Sequence, residues 1–170
     1  AVLLQTAIRL GELGIKVDIF TRVHGLQSSR EVMLSPNVTV IHLTSSATGS
    51  TKEEIYRESE RFIAEVDLYK VENNFTYNVI HIHYWLSASI GVGLAELWAV
   101  SLVAQFHTLA DTKIKSMPDA VEPPLRNVVE KSTMQYADKI LVASNDEMAA
   151  IELIDRNVHD KLQLVPYGVD

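Results

Sequence analysis

His81 and His83 stand two apart in the run VIHIHYW (79–85), and His107 and Thr108 close the run VAQFHT (103–108). Each run is apolar until it breaks into imidazole, aromatic and hydroxyl side chains at its C-terminal end. In an open parallel sheet the strand C-termini line the ligand crevice, so both runs bring chemistry to one edge. A His-x-His pair on a strand points both rings to one face and is able to ligate zinc or another divalent ion. His107 and Asp111 are the further ligands within reach, but no HExxH pair and no acidic cluster accompanies them. A metal-dependent hydrolase built on His81, His83 and His107 therefore stands only as an alternative. The plainer reading of His81 is a hydrogen-bonded histidine beneath the crevice, whereas His83, the last residue before the chain turns, is the better site residue. Tyr84 and Trp85 follow at the crevice edge, placed either to stack on a sugar ring or simply to pack.

Two cations add a second kind of chemistry. Lys52 and Arg126 each fall in the first turn of an expected helix, where the macrodipole disfavours positive charge. A bound phosphate compensates: helix N-termini offer N–H groups to anions, and a lysine or bidentate arginine completes such a site. The competing reading leaves Lys52 solvated and pairs Arg126 with Glu122 or Glu130, as surface ions commonly do.

The elements that must hold these residues are read from periodicity. Apolar runs recur at 15–20, 38–43, 78–83, 101–106, 139–144 and 161–166, and most gaps between them carry a helical pattern. That alternation predicts a Rossmann-like, doubly wound parallel sheet. The opening residues AVLLQTAIRLGEL predict a helix ending at Gly11 or Gly14. One helix is expected from Thr51, with Ile55, Phe62, Ile63, Val66 and Tyr69 on one face and a Thr51/Glu54 capping box; Ser144 and Glu147 predict the same box before MAAIELI. Residues 107–122 show no clear periodicity, and a connection of that length is commonly functional. Gly91 and Gly93 lack the spacing of a dinucleotide fingerprint, and no GxxxxGK occurs.

Composition narrows the classes. With 170 residues, 47% of them hydrophobic, the chain can bury a sizeable core. A net charge of −7 without a basic patch argues against nucleic acid and acidic membranes as partners. The absence of cysteine excludes disulfides and thiol chemistry and fits a reducing compartment, so a cytoplasmic protein is expected. No apolar stretch reaches spanning length, and the start reads as the inside of a fold, which predicts a fragment.

The motifs VIHIHYWLSASIG, FHTLADTK, EPPLR with Glu130 four residues on, ADKILVASNDE and LVPYGVD occur in this order along the chain. Together they resemble the N-terminal half of retaining glycosyltransferases of the GT-B fold, in the large fourth sequence family. Within it they are most similar to the inositol-phosphate glycosyltransferases of mycothiol synthesis and the sucrose-phosphate synthases. The resemblance implies that residues 1–170 are a single Rossmann-like, acceptor-binding domain, half of a GT-B fold. By the same resemblance Lys52, Tyr84, Thr108 and Arg126 match positions gripping an acceptor phosphate, His107 the histidine contacting the transferred sugar, and His83 one lining the acceptor pocket. Lys113 matches a family lysine in the loop.

The resemblance also implies the partners: a nucleotide-diphosphate sugar, UDP-linked, as co-substrate, and a small phosphorylated polyol or sugar as acceptor. No other cofactor or metal is implied, and self-association of the complete protein is compatible with it. Family members carry a first strand and a glycine-rich loop before the opening helix and a second, donor-binding domain after LVPYGVD. Both are expected to be missing here, leaving the isolated chain without substantial activity. The sequence offers no protein nucleophile, which fits the front-face transfer attributed to the family, in which the protein contributes alignment and charge stabilisation. A third reading is a non-catalytic sugar-phosphate-binding module.

Overall fold

Gly14, at φ +84, ends the first helix as the glycine signal predicts: Gly14 N donates to Gly11 O at 3.0 Å and Ile15 N to Leu10 O at 3.1 Å. A computed structural model describes residues 2–23, 29–44, 51–117 and 119–168. Val169 and Asp170, the end of the LVPYGVD motif, lie outside them. The chain divides into two compact units, Ala1–Phe75 and Thr76–Asp170.

In the first unit, α1 (Val2–Glu12) precedes β1 (Val17–Arg22), β2 (Glu31–Ser35) and β3 (Val38–Leu43). β1 pairs parallel with β3 from Val17↔Val38 to Arg22↔Leu43, whereas β2 pairs antiparallel on the other side of β3. Val38, Ile41 and Leu43 are fully buried, and Phe62, Val66 and Tyr69 supply the helical side of the core. Gly11 allows the close approach of α1, because a Cβ there would stand 2.6 Å from Val38 Cγ2. β2 was not expected from the sequence; Glu31 to Leu34 are all exposed, so this edge strand shows no buried period of two.

The helix expected from Thr51 is instead two, α2 (Lys52–Arg57) and α3 (Ser59–Glu72). The capping box forms, with Glu54 N donating to Thr51 Oγ1 at 3.2 Å and Thr51 N to Glu54 Oε2 at 3.0 Å. The break falls at Glu58 (φ −85, ψ 4), beside Ser59, whose buried hydroxyl donates to Tyr56 O at 2.6 Å and competes with the helical ladder.

The second unit holds an all-parallel sheet in the order β4-β5-β6-β7: β4 (Val79–His83), β5 (Ser101–Gln105), β6 (Lys139–Val142) and β7 (Leu162–Leu164). Helices α4 (Trp85–Trp98), α5 (Ala110–Ser116), α6 (Pro124–Tyr136) and α7 (Asn145–Ile154) make the crossovers. Trp85, Ala88, Gly91, Leu94 and Ala95 form the buried stripe of α4, at helical spacing. Gly91 is needed there: a Cβ would meet Ile82 Cγ2 at 2.1 Å and Leu102 Cδ1 at 3.3 Å. Ser144 caps α7 by accepting from Glu147 N at 3.1 Å, but the Glu147 carboxylate accepts from Ala143 N at 2.8 Å, so the returning bond of the expected box lands one residue early.

Within the segment expected to lack regular structure, residues 110–116 form α5. Its cap comes from a distant residue, since Ala110 N donates to Glu130 Oε2 at 3.1 Å. Among the described residues, no helix is long and apolar enough to cross a membrane.

Candidate active site at the ends of two parallel strands

β4 and β5 end side by side, with His83 opposite Gln105. Tyr84 N extends the pairing one step by donating to Gln105 O at 3.0 Å, after which the chain turns directly into α4. The turn is held by Ser87, whose hydroxyl accepts from His83 N at 3.1 Å and donates to His83 O at 2.6 Å. Tyr84 has φ 73 and ψ 156, in a region that belongs essentially to glycine and costs about 1–3 kcal/mol for a side chain. His107, one residue beyond the turn out of β5, has φ 63. Both strained residues lie where sequence reasoning places site residues, and strain of this kind clusters at functional sites.

The histidines run in file. His81 and His83 rings lie 4.2 Å apart between centroids, His83 and His107 5.1 Å apart. His83 Nδ1 and His107 Nε2 share a hydrogen bond of 2.8 Å, and His107 Nδ1 shares another of 2.8 Å with Tyr167 Oη. Burial, reinforced by the neighbouring imidazoles, lowers His83 to a pKa of about 3; burial and His107 lower His81 to about 4. Burial lowers His107 too, against an opposing pull from Glu147. All three are therefore neutral at pH 7, and one proton is shared across each bond. Either His107 Nε2–H donates to His83 and Tyr167 donates to His107, or both bonds run the other way. His81 Nε2, expected to be satisfied, has no hydrogen-bond partner among the described residues. Among the described residues no group of three His, Cys, Asp or Glu is placed to hold a metal ion.

A second network follows through Tyr84 and Thr108. The Arg126 guanidinium is fully buried and lies 4.9 Å over the Tyr84 ring. Its Nε donates to Glu130 Oε1 at 2.6 Å, its Nη1 to Glu122 Oε2 at 2.9 Å and to Tyr84 Oη at 3.4 Å, and its Nη2 to Thr108 O. Lys113 Nζ donates to Glu122 Oε1. Thr108 keeps its hydroxyl on the exposed side, donating to His107 O at 2.8 Å. Burial works against the Arg126 charge, yet its bonds to Glu122 and Glu130 carry its pKa above the ordinary value. Burial raises Glu130, against the lowering effect of Ala110 N–H and Arg126. Of the residues singled out from the sequence, His83, Tyr84, His107, Thr108, Lys113 and Arg126 are thus linked in the second unit. Lys52, the first residue of α2, belongs to the first.

Sequence reasoning did not single out Tyr167 or Ser87 as site residues. Glu122, Arg126 and Glu130, spaced four apart, do carry a local signal, and both ion pairs that this spacing allows are formed. A cavity of about 310 Å³ between α5, α6 and α7, lined by Leu109, Asp111, Lys115, Asn127, Glu130 and Leu153 among others, shares Glu130 with the Arg126 network and contains none of the strand-end histidines.

A mixed α/β chain with a parallel sheet and polar strand ends has the architecture of a GT-B glycosyltransferase half. Sucrose-phosphate synthase from Thermosynechococcus elongatus shares it, with a TM-score of 0.82 at 25% identity over 98% of this chain and 41% of that one. Residues 1–168 match the glycosyl transferase 4-like domain, and the chain belongs to that family. The D-inositol 3-phosphate glycosyltransferase of Mycobacterium marinum is 34% identical over 98% of this chain and 37% of the relative. That of Kribbella flavida is 34% identical over 95% of this chain and 39% of its own length. The chain thus spans about two fifths of the relatives it matches.

Proposed function

We propose that the chain is the acceptor-binding part of a retaining glycosyltransferase that moves a hexose-type sugar from a nucleotide-diphosphate sugar, UDP-linked, to a phosphorylated polyol or sugar. The observation that carries this reading is the convergence of Tyr84, Thr108, Lys113 and Arg126 in one network directly beyond two adjacent strand ends. The similar proteins bear names that specify D-inositol 3-phosphate and sucrose phosphate, both phosphorylated polyols or sugars.

In this reading the acceptor phosphate is held by Arg126, Lys113, Thr108 and Tyr84. Remote binding of the phosphate orients the reacting hydroxyl. His83 and His107 are held neutral by burial; both His107 nitrogens are engaged, by His83 and by Tyr167, so one of those bonds must open for His107 to meet the transferred sugar. No side chain serves as nucleophile, so the protein aligns the reactants and stabilises charge.

The test is to incubate the complete protein with several nucleotide-sugars and with inositol phosphate or fructose phosphate, and to read the product's anomeric configuration by NMR. Transfer to a phosphorylated acceptor with the donor's configuration kept is expected. Failure to transfer from any donor, or an inverted product, overturns the proposal.

A further inference from the structure

We propose that Tyr167 is a positioning residue: acting through His107, it fixes the tautomer of His83 so that His83 Nε2 carries the proton and meets the acceptor as a hydrogen-bond donor. The encounter with the acceptor rests on the reading above; the tautomer rests on the geometry. Tyr167 Oη lies 2.8 Å from His107 Nδ1, and His107 Nε2 lies 2.8 Å from His83 Nδ1. With both rings neutral each holds a single N–H proton, so the direction of one bond dictates the direction of the other.

The phenol decides that direction. The His107–His83 bond joins imidazole to imidazole whichever way it runs and has no strong preference of its own. The Tyr167–His107 bond joins unlike groups: a phenol is an acid of pKa about 10 with a feebly basic oxygen, whereas an unprotonated imidazole nitrogen is a good base. The O–H therefore donates to Nδ1. Burial, then the charge of Glu147, raises the Tyr167 pKa against the lowering bond from Gln105, so the phenol keeps its proton at neutral pH. Gln105, 5% exposed, acts in the sense of an N–H given to the phenol oxygen, which leaves the O–H for His107.

The protons then fall into place along the file. His107, accepting at Nδ1, holds its proton on Nε2 and gives it to His83 Nδ1, and His83 is left with its own on Nε2. Both nitrogens of His107 are thereby committed, and the His83 ring makes no other hydrogen bond among the described residues. Ser87 holds the His83 backbone on both sides, at N and at O. An N–H on this ring takes the lone pair of a hydroxyl or phosphate oxygen and has nothing to offer an ammonium group. Nor can it receive the proton of the reacting hydroxyl, so His83 orients the acceptor and is no general base.

The experiment is a two-bond 1H–15N correlation spectrum of the 15N-histidine-labelled chain at pH 7, for wild type and Tyr167→Phe, first alone and then during titration with myo-inositol phosphate. In the wild type His83 and His107 are each expected as a single tautomer, with Nε2 at the protonated position and Nδ1 at the unprotonated one. Tyr167→Phe removes the deciding donor, and the two 15N shifts of His83 are expected to move toward each other as its tautomers mix. A wild-type His83 protonated at Nδ1, or a His83 pattern that Tyr167→Phe leaves unchanged, overturns this inference and leaves the acceptor reading standing. At saturation with myo-inositol phosphate the His83 Nε2 proton of the wild type is expected to shift downfield. Saturation without that shift overturns the inference alone; absence of binding in wild type and variant alike overturns it together with the acceptor reading.

Discussion

His83 Nδ1 lies 2.8 Å from His107 Nε2, a bond that ties together the ends of two adjacent parallel strands. It requires at least one neutral, accepting nitrogen, and burial keeps both rings neutral. His81 and His83 have pKa values of about 4 and about 3 in place of 6.5. Below about pH 6.5 the unfolded chain therefore takes up protons that the folded chain refuses. Stability is full above that pH and falls steadily as pH drops toward 3. Thermal unfolding between pH 8 and pH 4 should show this slope, and the ring protons of both histidines should titrate below pH 5 by NMR. Midpoints near 6.5 would contradict the buried geometry.

Arg126→Ala leaves Glu122 and Glu130 buried without their shared cation. Removing one partner of a buried ion network costs about 3–5 kcal/mol. Urea unfolding should read a loss of this size; a loss below about 1 kcal/mol, the range of exposed pairs, would mean that the network is solvated.

The strand ends were legible because β4 and β5 are largely apolar runs, and parallel pairing sets their last residues, His83 and Gln105, opposite each other with His107 two residues on. The Arg126 ion pairs were legible as spacing of four, Glu130 within α6 and Glu122 just before its start. What escaped is non-local or unpatterned. β2 exposes Glu31 to Leu34, so no face of it needs an apolar period. Helix α5 depends for its cap on Glu130, twenty residues on, and Tyr167 reaches His107 across sixty residues. The split at Glu58 turns on one hydroxyl, that of Ser59, which interrupts an otherwise continuous apolar stripe.

Gly91→Ala tests the packing beneath the site. Its methyl group would meet Ile82 Cγ2 at 2.1 Å, a branch atom on a buried strand residue with little room to yield. Overpacking of this kind costs about 1–3 kcal/mol, to be read by denaturant unfolding. A neutral result would mean that α4 lies farther from β4.

Tyr167→Phe removes the phenol's hydrogen bonds to His107 and Gln105 and leaves the ring stack with His107, whose centroids are 6.2 Å apart. The stability loss should be about 0.5–1.5 kcal/mol. The readout particular to the bond is the 15N shift of His107 Nδ1, which should move while the shifts of His81 stay in place. An unmoved His107 Nδ1 would show that the phenol does not engage it.

The most direct measurement is a titration of the chain with myo-inositol phosphate against unphosphorylated myo-inositol, followed by NMR shifts of residues 83–87, 107–113 and 122–126. Saturable binding of the phosphate ester at those residues, absent for inositol and lost in Arg126→Ala, is the predicted result. Equal binding of both polyols, or shifts confined to other parts of the chain, would contradict the account of this strand-end network as a site for a phosphorylated acceptor.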